Sequence, residues 1–128
     1  MNKEFILGWG CIFLSALFDC FTIFVVKWRA NFVGKFEFVS LEYAINYALT
    51  FIQHPLVWLC ALSFFLGPLF GYIGLTRIDL TTAYPVSITL HIIFTFLFGI
   101  FLLHEPMHLY KMIGVSLMFT GLYFFFKS

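Results

Sequence analysis

With 128 residues the chain has the length of one domain, yet 62% of it is hydrophobic, only 10% is charged and the mean hydropathy is +1.02. A water-soluble core has no use for so much apolar surface. The composition therefore excludes a soluble globular domain and predicts an all-α integral membrane protein, a bilayer taking about 20 apolar residues per helical span. A net charge of +1 gives no nucleic-acid footprint, and no phosphate loop, zinc-protease helix or nucleophile elbow marks an enzyme.

Four spans are predicted, at about 5–26, 56–75, 82–103 and 109–126, forming one membrane domain over 1–128. The first reads as a retained helix and not as a signal peptide: its apolar region is too long, Lys3 is offset by Glu4, and no small-x-small cleavage site precedes Lys27. Within it stands Asp19, where every other side chain is apolar, small or hydroxylic. A carboxylate at membrane depth costs roughly 2.5–3.5 kcal/mol on insertion scales, so it faces a protein interior or a water-filled cavity and serves a purpose there. Gly8, Cys11, Ser15, Asp19 and Thr22 are spaced three or four apart, which puts them on one narrow small-or-polar face of a helix. Asp19 precedes Lys27 by roughly 12 Å of helix, and so lies inside the hydrocarbon, off its midplane.

The connection from Trp28 to Pro55 is long, and its later part is periodic. Glu42, Asn46, Thr50 and Gln53 mark one face and Leu41, Ile45, Ala48 and Ile52 another, predicting an extra amphipathic helix at about 40–53 that ends at His54-Pro55. It either lies in the interface plane, anchored by Tyr43, Tyr47 and Phe51, or extends the second span out of the membrane. The second span carries Ser63, Gly67, Gly71 and Gly74 on one face, a spacing that lets backbones approach closely. Pro68 beside Gly67 is expected to kink or weaken the helix, for packing or as a hinge. The third span repeats the polar stripe in Tyr84, Ser87, His91, Thr95 and Gly99, so the two stripes are expected to share a cavity in which Asp19 meets Tyr84, Ser87 or His91. In the fourth, Gly114 and Gly121 share a face suited to a close helix contact within or between chains.

Other residues carry less. The 20 phenylalanines read as lipid-facing bulk, and Cys11, Cys20 and Cys60 show neither a CxxC pair nor metal-ligand spacing, so no metal or cofactor is expected. Lys27, Arg29, Arg77, Glu105 and Lys111 lie near span ends and read as interfacial anchors, with Lys27, Arg29 and Lys111 the candidates for a lipid phosphate. Lys3, Arg77 and Lys127 fall on one side, Lys27, Arg29, Lys35 and Lys111 on the other. That near balance permits either orientation, or both in an antiparallel dimer.

Asp19 in the first span, Lys27 eight residues later and Tyr84 in a Thr-Ala-Tyr segment opening the third together resemble the small multidrug resistance family of the drug/metabolite transporter superfamily. There, a first-helix carboxylate binds a cation or protons and a third-helix Tyr lines the site. The Gly114-x6-Gly121 spacing is also similar to a packing pattern of that family. The chain departs from the drug exporters in carrying Ser87 and His91 where they have a Trp and a Gly. Ala83-Tyr84-Pro85 and Leu103-His104-Glu105-Pro106 are more similar to the small flippase subunits that move undecaprenyl-phosphate aminoarabinose across the bacterial inner membrane for lipid A modification.

What this resemblance implies is a transporter that flips a polyprenyl-phosphate-linked aminosugar. Asp19, with Tyr84, Ser87, His91, Ser15 and Thr22 around it, would meet the amine or a proton. Lys27, Arg29 or Lys111 would meet the phosphate. Four spans enclose little volume, so a homodimer or a heterodimer with a related small subunit is expected. The alternatives are a proton-coupled exporter of small cations and a non-transporting scaffold for a membrane enzyme.

Overall fold

In a computed structural model that describes residues 2–127, the chain forms five helices in the order α1 (Lys3–Val33), α2 (Leu41–Phe51), α3 (Pro55–Leu75), α4 (Leu80–Phe101) and α5 (Leu109–Lys127). All but α2 are long and apolar enough to cross a membrane, the pattern of a multi-pass membrane protein, and no strand occurs among the described residues.

Local chemistry sets the helix ends. Asn2 caps α1 by accepting from the Glu4 N–H, and Ser40 caps α2 by accepting from the Tyr43 N–H. His54 caps α3, its Nδ1 accepting from the Leu56 N–H, with Pro55 at the first helical position, where its missing N–H is harmless. Helix α1 ends at Gly34, whose φ of 97° is open to glycine and whose N–H bonds to Ala30 O.

The first helix is longer than its hydropathy implies. Polarity rises at Lys27, but the Lys27–Val33 segment contains no helix breaker, so the backbone continues to Val33 and the connection shrinks to Gly34–Ser40. Helix α3 likewise runs unbroken through Pro68. Arg29, now within α1, donates from Nε to Phe51 O at 3.1 Å and from its terminal nitrogen to Thr50 O at 2.7 Å. Those carbonyls belong to the unpaired last turn of α2, at the negative end of its dipole, where a guanidinium is favourable. Tyr47 adds a bond from its hydroxyl to Gly34 O at 2.7 Å, so α2 is fixed from both sides of the connection.

Helix α1 is the hub. It packs most extensively on α3, next on α4, and touches α2; α5 leans chiefly on α4. What α1 buries is mostly small: Gly8, Cys11, Ser15, Ala16 and Cys20, with Ile12 and Val25. The facing side of α3 buries Cys60, Ser63, Gly67 and Gly74, and α4 buries Ala83, Val86, Ile93 and Gly99. Between apolar helices in lipid no hydrophobic force acts, so association relies on close van der Waals approach and interhelical hydrogen bonds, both of which small residues permit. A Cβ on Gly74 would come within 2.6 Å of Ile12 Cγ1 and 3.1 Å of Gly8 O, and one on Gly71 within 3.0 Å of Ser15 Oγ. Ser15 closes the contact by donating to Gly67 O at 2.7 Å. At the same end of α1 as the Gly8–Gly74 contact, Arg77 pairs with Glu4 at 2.8 Å, an exposed bridge worth at most about 1 kcal/mol.

The larger side chains surround this thin core. Phe18 stacks on Phe70 of α3, Phe13 meets Phe94 of α4 edge-on, and Trp9 packs against Phe126 of α5. Helix α5 buries no residue, and nothing lies within 4 Å of a Cβ placed on Gly114 or Gly121, so their face is open within the chain. The accessible surface is 9022 Å², against roughly 7000 Å² for a soluble globular chain of this mass.

The glycine interface yields a comparison between two helices. Gly74→Ala inserts a methyl group into backbone and Ile12, and should destabilise the protein by about 1–3 kcal/mol, whereas Gly121→Ala should change stability by less than about 0.5 kcal/mol. Unfolding in mixed detergent micelles measures both. Equal effects would contradict the α1–α3 contact.

Candidate functional site

Asp19 projects from the small-residue face of α1 beside Gly67 of α3. Any Cβ at Gly67 would collide with the Asp19 carboxylate, so glycine is what makes room for it. On its other side the carboxylate reaches α4: Asp19 Oδ2 lies 2.8 Å from His91 Nε2. His91 is oriented in turn by its own helix, with Nδ1 2.6 Å from Ser87 O. The imidazole thus bridges the Ser87 carbonyl of its own helix and the Asp19 carboxylate of α1. Each side chain is about one-third to one-quarter exposed, at 33% for Asp19 and 27% for His91.

The residues around this pair divide by what already occupies them. Ser15 is bonded to Gly67 O, and Thr22 donates back to Phe18 O of its own helix. Cys20, buried, donates to His91 O at 3.3 Å and touches Thr95 Oγ1 at 3.5 Å, fixing the register of α1 against α4. Tyr84, largely exposed, borders a cleft of only about 50 Å³ with Ser15 and Ser87. Ser87 contributes its carbonyl to His91. Among the described residues, the Asp19–His91 hydrogen bond joins the two polar stripes, which otherwise share only the small cleft at Ser15, Tyr84 and Ser87, because most of the α1 stripe is turned to the glycines of α3.

Beyond His91, in the seam between α1, α4 and the approach to α5, lies an open-sided cavity of about 430 Å³ with apolar walls, His91 and Thr95 on one side and Glu105 and Lys111 on another. A neighbouring recess of about 210 Å³ shares Ile23, Thr95, Gly99 and Glu105 with it and adds Lys27. An almost wholly apolar groove of about 540 Å³, lined by residues such as Trp9, Leu90 and Phe126, occupies the same seam toward the start of α1. Lys27 and Lys111 thus reach the cavity system, while the Arg29 guanidinium is held by α2.

Sequence reasoning missed Glu105, which hydropathy marks only as a span-end charge. Its carboxylate is folded back over α4, with Oε2 3.1 Å from where a Gly99 Cβ would stand. The available signal is local: His104-Glu105-Pro106 follows a Gly-containing helix end, and a reversal there returns the next side chain to the helix. No group of three or more metal-ligating side chains occurs among the described residues.

No protein-family model, curated protein or solved structure matches the chain. The chemistry of the site is accordingly read from its own residues.

If the Asp19–His91 contact carries energy, the two side chains are coupled. Unfolding free energies of Asp19→Asn, His91→Gln and the double variant should give a coupling of about 1–3 kcal/mol, the size expected for a hydrogen bond with a charged partner. Strict additivity is the contrary outcome.

Proposed function

We propose that this protein is a membrane transporter that flips a lipid-linked sugar, a polyprenyl-phosphate aminosugar, across the bacterial inner membrane. The observation that carries the reading is the hydrogen-bonded Asp19–His91 pair set inside the helices at the edge of an open-sided cavity. An ionisable pair at membrane depth is costly, and groups placed there mark substrate or proton pathways. A cavity open along a helix seam admits a polar head while leaving a long apolar tail outside it, so the site need not enclose its whole substrate. Lys27 and Lys111 border the cavity system at its α1 and α5 ends, where a phosphate at headgroup level is within their reach.

The rest of the chain fits that assignment. At 31 residues α1 is roughly 46 Å long, well beyond the ~30 Å hydrocarbon layer, so with Phe5–Val26 in the hydrocarbon its last turns stand among the headgroups. Helix α2, pinned to those turns by Arg29, then lies in the interface, with Tyr43 and Phe51 as anchors, beside the route by which a headgroup enters. The resemblance to small flippase subunits points the same way. The open face of α5 leaves room for a second small subunit, identical or related, to complete the enclosure.

A second reading, a proton-coupled exporter of small cations, draws on the Asp19 carboxylate as a site for a cation or proton. The two lysines count against it, since a bare cation entering the cavity meets like charge. The Asp19–His91 bond serves the flippase equally, by giving the carboxylate a partner as the head passes.

Translocation of a polyprenyl-phosphate aminosugar in proteoliposomes tests the reading. Wild type should move it, and Asp19→Asn should reduce the rate by about tenfold or more, the equivalent of one charge-assisted hydrogen bond. Unimpaired transport by Asp19→Asn with an unchanged pH profile removes Asp19 from the mechanism. Transport of a quaternary ammonium dye but not of the lipid selects the exporter, and no transport of either, with a stable complex with a membrane enzyme, selects the scaffold.

A further inference from the structure

We propose that Glu105 is the amine receptor of this site, acting with Lys27 and Lys111 to bind a headgroup in which an amine and a phosphate are joined. The inference rests on the transport reading and names which residue meets which part of the substrate.

The backbone delivers this carboxylate deliberately. His104 takes a φ of 53°, a conformation that non-glycine residues adopt at some strain, and turns the chain back on α4. The Glu105 N–H then bonds to Gly99 O at 3.0 Å, in the unpaired last turn of the helix, and the Leu103 N–H bonds to Phe98 O at 3.2 Å. The side chain is thereby laid over Gly99, where an added Cβ would stand 3.1 Å from Oε2, and Pro106 carries the chain away toward α5. Glu105, itself exposed, borders both recesses.

Once there, it has no ion pair or side-chain hydrogen bond among the described residues. Lys27 has none either, and Lys111 makes only a 3.4 Å contact with Pro106 O. Apolar walls such as Ile23, Ile92 and Phe96 flank these charges, which are themselves exposed and so open to an incoming head. Asp19 is a poor competitor for the amine, since its Oδ2 is bonded to His91 and its Oδ1 faces Gly67. The fixed charges facing the cavity system are therefore one carboxylate and two ammonium groups. A bare amine is repelled by the lysines and a bare phosphate by Glu105. A head that carries both satisfies all three, and about 430 Å³ is ample for such a group.

Two lipids offer this chemistry: a polyprenyl-phosphate aminosugar and an ordinary phosphatidylethanolamine. The test measures equilibrium binding to the purified full-length protein in nanodiscs of phosphatidylcholine. The probes are the polyprenyl-phosphate aminosugar, the same lipid N-acetylated, and phosphatidylethanolamine. Wild type should bind the free amine about tenfold more tightly than the N-acetylated form, the equivalent of one charge-assisted hydrogen bond. Glu105→Gln should bring that ratio close to one by weakening the amine form alone. Lys111→Gln should weaken both forms equally and leave the ratio intact. A ratio unchanged in Glu105→Gln overturns the proposal, and so does a wild-type ratio of one, which needs no variant and decides the matter even if Glu105→Gln does not fold. Phosphatidylethanolamine binding as tightly as the aminosugar, with the same loss in Glu105→Gln, upholds Glu105 as amine receptor while overturning the polyprenyl substrate. Asp19→Asn transport judges the parent reading separately.

Discussion

A carboxylate surrounded by hydrocarbon must find its partner inside the protein, and the contact between Asp19 and His91 is where this chain meets that demand. Much of the architecture follows from it. For Asp19 to reach α4, α1 must lie between α3 and α4, which makes the first helix the hub of the bundle. For the carboxylate to fit beside α3, the facing residue must lack a side chain, and Gly67 does. The ring of His91 is oriented toward Asp19 by the contact of its Nδ1 with Ser87 O, four residues earlier on the same helix. One hydrogen bond thus ties the helix order, a glycine and a histidine orientation to a single requirement.

The same arrangement leaves α5 at the margin. The buried small residues all lie on α1, α3 and α4, so α5 joins the bundle along α4 and through the Trp9–Phe126 contact. That incomplete seam is where the cavities lie. A chain of this size cannot both close its helices around a core and keep a wide enclosed site. Leaving one helix loosely attached creates a groove. For the proposed transporter, an amphiphile is the substrate that would tolerate such an open site best, because only its head requires protein.

Much of this was legible in the sequence, for physical reasons that differ between elements. The four long helices follow from apolar length alone, and α2 from its period and the His54-Pro55 stop. Asp19 stood out because its cost is intrinsic to the residue. The glycine faces of the second and fourth spans looked alike, yet Gly67, Gly71 and Gly74 pack on α1 whereas Gly114 and Gly121 face open space. Spacing identifies a face able to pack but not the helix that uses it. The continuation of α1 to Val33, beyond the apolar 5–26 stretch, is not legible because hydropathy reports solvent preference and not backbone continuity. The placement of Glu105 is hidden for a related reason: it depends on a reversal at His104, and a single residue at positive φ leaves no periodic trace.

Pairing Asp19 with His91 also changes what the site presents. One carboxylate oxygen is bonded to the imidazole and the other faces the bare backbone of Gly67, so the pair offers a hydrogen-bonded polar surface in place of a lone carboxylate. On the proposed transport reading, ionic attraction is then left to Glu105 and the two lysines, which border the recesses nearer the span ends. A head held by ions at the entrance and by hydrogen bonds deeper in would meet no deep energetic well in the middle of its path, whereas a site that binds most tightly at the membrane centre traps its substrate there. On that reading the expensive carboxylate of the first helix is a polar step and not the anchor for the substrate's charge.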